Sequence, residues 1–347
     1  MTPVNLSSIF DTLKADGIDC HVLRTPGNNA WALMDFYISG YASLENATEH
    51  DVSFWRGKSE SVTHANGYSC ETLSRACAGL LFVPQKDSDA ALEIFKDAAC
   101  VVAVKEPYHA MVRCLEHFAL ECEMGIAPLG ESTVHPSAVV EGTVGAKCFV
   151  GPGCVVMPGA KVGDGCWLEA NVTVYPNVVI GEECVFQAGV VIGSRGFGFY
   201  EHAGERRMVP HLAGVRIGNR SSFGANTVVA AGFISPTTIG DDCHFDSMVQ
   251  IAHNCVIGNK VFMASQTALG GTTVLEDGVQ FAGGAKAAGH LTVGKNAIVT
   301  AKAGVTKNVA AGKTVAGFPA IDIDVWRRQV VELRLMAKKN LEADSWK

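Results

Sequence analysis

From Val144 onward every sixth residue is bulky and apolar: Val150, Val156, Val162, Leu168, Val174, Ile180, Phe186 and Ile192. The residue two places before each is small or β-branched, as at Cys148, Cys154, Ala160, Cys166, Val172, Val178, Cys184 and Val190. After a break the series resumes at Ile217, Phe223 and Val229 and slips by four residues before Ile239. It then runs through Phe245, Ile251, Ile257, Met263, Leu269, Leu275, Phe281, Ala287, Val293 and Val299 to Val305. A period of six fits neither a helix nor the two-residue alternation of a strand. It fits short strands separated by corners, with one aliphatic side chain per side pointing to the axis. Three such sides make a coil of 18 residues, repeated from about Ala138 to Val305. Gly, Asn and Asp between the aliphatics supply corner conformations at positive φ. Some eight coils, stacked at the spacing of paired strands, would form a prism roughly 40 Å tall.

The interruptions carry more information than the repeat. Residues Gly193 to Gly214 (GSRGFGFYEHAGERRMVPHLAG) leave the series in a stretch rich in aromatic, Gly and charged residues. An excursion that long on a solenoid is more often functional than decorative. The four-residue slip before Ile239 is a second, smaller bulge.

The chain before the repeat has a different grammar. NLSSIFDTLKADG and EPYHAMVRCLEHFALE read as helices, and GLLFVP and CVVAVK as buried strands. Residues 1–130 are therefore expected to form a small α/β domain, 131–312 the parallel β-helix, and 313–347 a turn-rich exit and a helix. That last helix has apolar residues at Trp326, Val330, Leu333 and Met336, and it is basic, with Arg327, Arg328, Arg334, Lys338 and Lys339.

Charge and composition narrow the classes of function. A formal net charge of −7 argues against general nucleic-acid binding. The opening MTPVNLSSIF lacks the basic and apolar regions of a secretory signal, and no apolar run is long enough to span a bilayer. A cytoplasmic protein is expected, its 12 cysteines reduced. Six of them (Cys148, Cys154, Cys166, Cys184, Cys243, Cys255) share one slot of the repeat and read as small core residues.

Few residues in the repeat bear chemistry. His253, in QIAHN, follows the axis residue Ile251, so its side chain should project outward. Taken alone it is a surface imidazole or a general base able to take a proton near neutrality. Asp246 also comes just after an axis residue, Phe245, as a corner residue or as a carboxylate that orients and supports an imidazole. Gly271 lies 18 residues, one coil, beyond His253, where a backbone N–H could meet an oxyanion. His290 lies 37 residues beyond His253, on the same side or its neighbour, to bind substrate or cap a corner.

The runs DSMVQIAHNCVIG, AAGHLTVG, AKAGVTKNV and GFPA, with the excursion GSRGFGFY and the early YASLENATEHDVSF, resemble the UDP-3-O-(3-hydroxyacyl)glucosamine N-acyltransferase family of lipid A biosynthesis. The likeness spans nearly the whole chain, the four-residue slip included. It implies a left-handed coil, a homotrimer with sites at the subunit seams, an N-terminal uridine-binding domain and no metal or other cofactor. The implied reaction moves a 3-hydroxyacyl chain from acyl carrier protein, on its phosphopantetheine arm, to the 2-amine of a UDP-3-O-acyl-glucosamine. By the same resemblance His253 is the base, Asp246 its assistant, Gly271 the backbone donor and His290 a second functional histidine. Phe54 is the ring that stacks on uracil. Gln250 and Asn254 of QIAHN, and Phe197 and Phe199 of the excursion, are placed with substrate, and the basic C-terminal helix is offered to the acidic carrier protein.

Three positions depart from the family's pattern. Where it reads S-F-x-x-N-P-K-Y, this chain has Gly57 for the Asn and Glu60 for the Tyr. GSDGFGF has become GSRGFGF with Arg195, and T-T-I-D-R-G has become Thr227, Val228, Val229, Ala230, Ala231, Gly232. Weaker binding of a UDP-sugar is expected, and a paralogue acting on another amino sugar remains open. A non-catalytic binding protein is a further alternative, which the Asp246/His253 pair argues against. A trimeric zinc carbonic anhydrase would need a His-x4-His pair that the sequence lacks.

Overall fold

The structure, a computed structural model, describes residues 3–28, 36–57, 76–121, 132–317 and 323–344, with backbone alone for 117–121, 326 and 337–344. Two compact units divide the chain, Met1–Ile126 and Ala127–Lys347.

In the first unit a five-stranded sheet is built around Leu80–Pro84 and Cys100–Val104, both buried along their whole length. Asp51–Phe54 and Gly40–Tyr41 extend it in parallel on one side, and His21–Arg24 closes the other side antiparallel. Continuous apolar runs such as LLFVP and CVVAV suit strands covered on both faces. One face is covered by the helices Leu6–Ala15 and Pro107–Glu121 through Leu6, Ile9, Leu13, Ala110 and Cys114. The other packs Leu81, Val83, Val101 and Ala103 against Trp55 and Phe95.

The second unit is a parallel β-helix with faces of ten, nine and eight strands among the described residues. Its axis is filled by the predicted series, Val150 through Val305, in one continuous cluster. Phe186, Phe223 and Phe245 stack down the axis with centroids 4.9 Å apart at each step. All six cysteines of the shared slot are buried. Each thiol donates to a backbone carbonyl of the next coil, fifteen residues on for five of them, as Cys148 to Gly163 and Cys243 to Gly258 at 3.1 Å, and 34 on for Cys184, whose acceptor Gly218 lies past the excursion. Burial pushes Cys243 and Cys255 up to about 11, so they act as apolar fillers rather than nucleophiles.

The β-helix extends past both ends of the period. Thr133–Val134 pairs with Phe149–Val150, and Thr314–Val315 with Ile298–Val299, at offsets of 16 residues instead of 18. Shortened corners in the end coils hide them from a search at period six. Corners also accept more residue types than expected. Besides Asn, Asp and Gly, positive φ is found at Lys147, Glu183, Arg220, Met248, Thr272 and His290. The ladder bonds across successive coils hold these residues in a conformation that costs most at the β-branched Thr272.

Both interruptions preserve the ladder. Val178 pairs with Val215 across 37 residues, so the excursion adds 19 to a coil of 18 (37 − 18) before the register resumes. Part of it is a β-hairpin, Phe199–His202 against Glu205–Met208, turned by Ala203 and Gly204 at φ 53° and 78°. Val215 pairs with Thr237 across 22 residues, which places the four-residue slip at the end of that coil. The helix Ile323–Asp344 completes the unit, with Val331, Leu333, Leu335 and Met336 exposed.

Candidate active site

His253 leaves the nine-stranded face just after Gln250–Ile251, as its place in the repeat predicts, but it is half-buried rather than free in solvent. The excursion folds back over it. A Cβ at Gly196 would lie 2.7 Å from the His253 Cβ, and a Cβ at Gly198 would lie 2.8 Å from the ring of His211. Gly196 and Gly198 of the GSRGFGF run are thus required by close approach to histidines. The His211 ring sits 4.8 Å from the His253 ring, centroid to centroid, and Phe233 flanks it at 6.2 Å.

The smaller bulge sets the imidazole's tautomer. Asn254 Nδ2 donates to the carbonyl of Ser235 at 2.8 Å, which turns Asn254 Oδ1 toward the N–H of Phe233 at 3.1 Å and His253 Nδ1 at 3.1 Å. An amide oxygen only accepts, so Nδ1 carries the proton and Nε2 keeps its lone pair. The Asn254 N–H is held in turn by Thr237 Oγ1, itself bonded to the Ala230 carbonyl. The two insertions brace each other where Ala213 donates to Gly232 and Gly232 to Gly214, both at 3.0 Å.

Above the imidazole stands a column without side chains. A Cβ at Gly271 would lie 2.7 Å from His253 Nε2, and a Cβ at Gly289 would lie 2.8 Å from the Gly271 carbonyl. The Gly271 N–H donates to no carbonyl among the described residues. A free lone pair on Nε2, an open column above it and an unused N–H are the parts of a proton-abstracting acyl-transfer site.

The other predicted residues fall into place unevenly. Within one chain Asp246 is not the partner of His253. Its carboxylate accepts from the amides of Ser247 at 2.7 Å and Ser265 at 3.1 Å, at a corner that follows the ten-stranded face. The imidazole's partner is Asn254, a residue the sequence placed only with substrate. His290 is an exposed corner residue at φ 61°, and its N–H donates to the Gly271 carbonyl at 3.0 Å. Gln250 is exposed. Phe197 and Phe199 form an edge-to-face pair at 5.1 Å on the excursion, and Phe197 is 88% exposed. Arg327, Arg328 and Arg334 are exposed on the last helix, Arg327 within 3.4 Å of Asp324, whereas the side chains of Lys338 and Lys339 lie outside the described residues. Among the described residues no three His, Cys, Asp or Glu side chains cluster as metal ligands do.

The first unit carries its own cleft, of about 650 Å³, beyond the carboxyl ends of its parallel strands. Arg56, Lys86, Lys105 and His109 line it with Tyr108, against one acid, Glu106. Phe54 packs edge-on against Tyr108 at 5.5 Å, and the Arg56 guanidinium lies 4.8 Å from the Tyr108 ring centre. Tyr108 thus places a second ring beside Phe54, whereas Glu60 lies outside the described residues. Gly57 has φ +99°, and a Cβ there would run into Asp87. A side chain at this position would be strained by the positive φ and would have to displace the Asp87 carboxylate. His211, Tyr108 and Arg56 carried no periodic or motif signal. They reach their sites through tertiary folding of an excursion and of strand ends.

A parallel β-helix with an imidazole poised at a coil corner defines a hexapeptide-repeat acyltransferase. The family description "Bacterial transferase hexapeptide (six repeats)" matches residues 159–194, and "Hexapeptide repeat of succinyl-transferase" matches residues 214–246. The UDP-3-O-acylglucosamine N-acyltransferase of Delftia acidovorans is 31% identical over 300 residues, 86% of this chain and 84% of that protein. The chain belongs to the UDP-3-O-acylglucosamine N-acyltransferase family, and its coil is the left-handed parallel β-helix. The enzyme of that name from Caulobacter sp. strain K31 is 40% identical over 146 residues, 42% of this chain and 43% of its own. A probable mitochondrial enzyme from Arabidopsis thaliana is 36% identical over 155 residues, 44% of this chain and 51% of its own. In these two alignments the chain spans about half the length of the relative. A solved UDP-N-acetylglucosamine acyltransferase from Bacteroides fragilis superposes with a TM-score of 0.49 at 19% identity, over 57% of this chain and 78% of that one.

Proposed function

We propose that the chain is an acyl-carrier-protein-dependent N-acyltransferase of lipid A biosynthesis. In this reading it transfers a 3-hydroxyacyl group to the 2-amine of a UDP-3-O-acyl-glucosamine. The observation that carries the reading is the free Nε2 of His253 beneath the glycine column. As the amine attacks the thioester carbonyl, Nε2 takes its proton and the Gly271 N–H receives the developing oxyanion. The imidazolium returns the proton to the departing pantetheine thiolate. No metal or other cofactor takes part. The cleft near Phe54 and Tyr108 suits the base of a nucleotide sugar. His290, Gln250, Phe197 and Phe199 are the outer contacts for substrate.

This reading includes a homotrimer in the cytoplasm. His253 and Asp246 follow different faces of the prism, so a carboxylate from a neighbouring subunit would support the imidazole across a seam. The exposed arginines of Ile323–Asp344 face an acidic carrier protein. No described helix is long and apolar enough to cross a membrane. Purified protein given 3-hydroxyacyl carrier protein and UDP-3-O-acyl-glucosamine should release free carrier thiol and N-acylated sugar. His253→Ala should lower that rate about 10²–10⁴-fold, the usual loss for a general base. Retention of more than about a tenth of the rate would overturn the assignment.

A further inference from the structure

A cleft of about 670 Å³ opens beside His253, between the excursion and the body of the β-helix. Tyr175, Asn177, Arg195, Met208, His211 and Leu212 are among its lining residues, and no Asp or Glu is. Two of these groups lack the partners their chemistry calls for. His211 is 8% exposed, and its buried Nδ1 has no hydrogen-bond partner among the described residues. Among the described residues Arg195, itself exposed, reaches only the Met208 sulfur, at 3.2 Å, a weak acceptor for a guanidinium. A buried unpaired nitrogen is costly when a site is empty, and an exposed guanidinium beside it with no carboxylate partner among the described residues makes an anion the ligand that matches both. Tyr175, Met208 and Leu212 give the rest of the wall an apolar character.

We propose that this cleft is an anion subsite of the acceptor, in which Arg195 and His211 hold a phosphate or carboxylate carried by the amino sugar beside the base. The inference rests on the acyl-transfer reading of His253 and deepens it. Arg195 supplies the charge and a forked set of donors, and His211 supplies one N–H from a position fixed by Gly196 and Gly198. The 4.8 Å between the two histidine rings places the anion within a sugar's length of the reacting amine. Burial, and then the facing His253, hold the His211 imidazole below its ordinary range, with a smaller contribution from Arg195 in the same direction, against a backbone interaction at Val209 that favours the charged form. An anion in the cleft opposes all three. Its binding therefore raises the pKa of His211.

Imidazole NMR of the full-length protein tests this at the site itself, with the His211 and His253 signals assigned through His211→Gln and His253→Gln. The probes are inorganic phosphate, UDP and glucuronate. The expected result is a saturable shift of His211 and a rise of its titration midpoint by about half a pH unit or more. Response to phosphate and UDP identifies a phosphate, and response to glucuronate a carboxylate. Arg195→Gln should weaken the effect about tenfold or more, the loss of one charge-assisted bond, and Arg195→Lys should restore part of it. Arg207→Gln, at a residue paired with Glu205 on the hairpin, should leave it intact. No shift with any probe, or a shift equal in Arg195→Gln, overturns the proposal. The readout is binding, so a failure of acyl transfer would sink the enzymatic reading and leave the anion subsite to be judged by NMR. With transfer present, Arg195→Gln should raise the acceptor KM by a larger factor than it lowers kcat.

Discussion

One methyl group is enough to probe the column above His253. A Cβ at Gly271 would sit 2.7 Å from the imidazole, closer than side chains approach, so Gly271→Ala must push the ring aside. Displacement by this much costs on the order of 10²-fold in kcat, and the melting temperature should hardly move because the crowded group is a ring at the edge of a cleft. A rate within threefold of the parent would show that the ring's position is not critical. Asn254 makes a complementary test. Asn254→Asp places a carboxylate on Nδ1 and tolerates the positive φ of 61° at that corner. An adjacent negative charge favours the imidazolium, so the acid limb of the pH–rate profile should move to higher pH and neutral-pH activity should fall. His253 itself was legible from its motif and its place just beyond an axis strand. Asn254 as tautomer clamp was not, because the clamp depends on Ser235 and Phe233, in a bulge whose shape no period describes. His211 was invisible for a similar reason. It lies 42 residues before His253 and meets it only through the fold of the excursion.

At the scale of elements, each coil is tied to its two neighbours, and the axis residues are the ties. Phe223 is stacked between Phe186 and Phe245 at the level where both insertions leave the prism. Phe223→Ala should cost about 3–5 kcal/mol by cavity formation and lost stacking. In a repeat array that loss is local, so denaturant unfolding followed by hydrogen exchange should show early opening around Ile217–Ile239 rather than a uniform shift. A single cooperative transition moved as a whole would argue against independent coils. The elements themselves were largely readable, since one bulky residue every six positions leaves few other folds. The end coils lie outside the period itself, because a 16-residue turn breaks it while keeping the hydrogen-bond ladder, and Thr314–Val315 falls just past the expected bound at residue 312. The hairpin Phe199–His202 with Glu205–Met208 escaped because its strands are exposed on both sides and so lack any apolar alternation.

At the scale of the whole molecule, the seam reading assigns His253 and Asp246 of one site to different subunits. Mixing His253→Ala and Asp246→Ala protomers by co-expression should then rebuild intact sites at on the order of a quarter of the seams of a random trimer. Activity well above the average of the two pure variants is the expected outcome. An activity equal to that average would place both residues in one subunit or leave Asp246 without a role. Reversing the charge at Arg327 and Arg328 should weaken the apparent affinity for acyl carrier protein and flatten its salt dependence, because steering by opposite charge is screened by salt. Unchanged affinity and slope would remove the helix from the docking surface. The ladder that resumes in register after 19 inserted residues has a consequence for how such proteins diversify. The excursion is a cartridge: it enters and leaves at neighbouring points of an unaltered frame, and it carries Arg195 and His211 with it. Recombination between relatives at Gly193 and Gly214 would exchange the acceptor's surroundings in one step and leave the base, its clamp and the glycine column where they were.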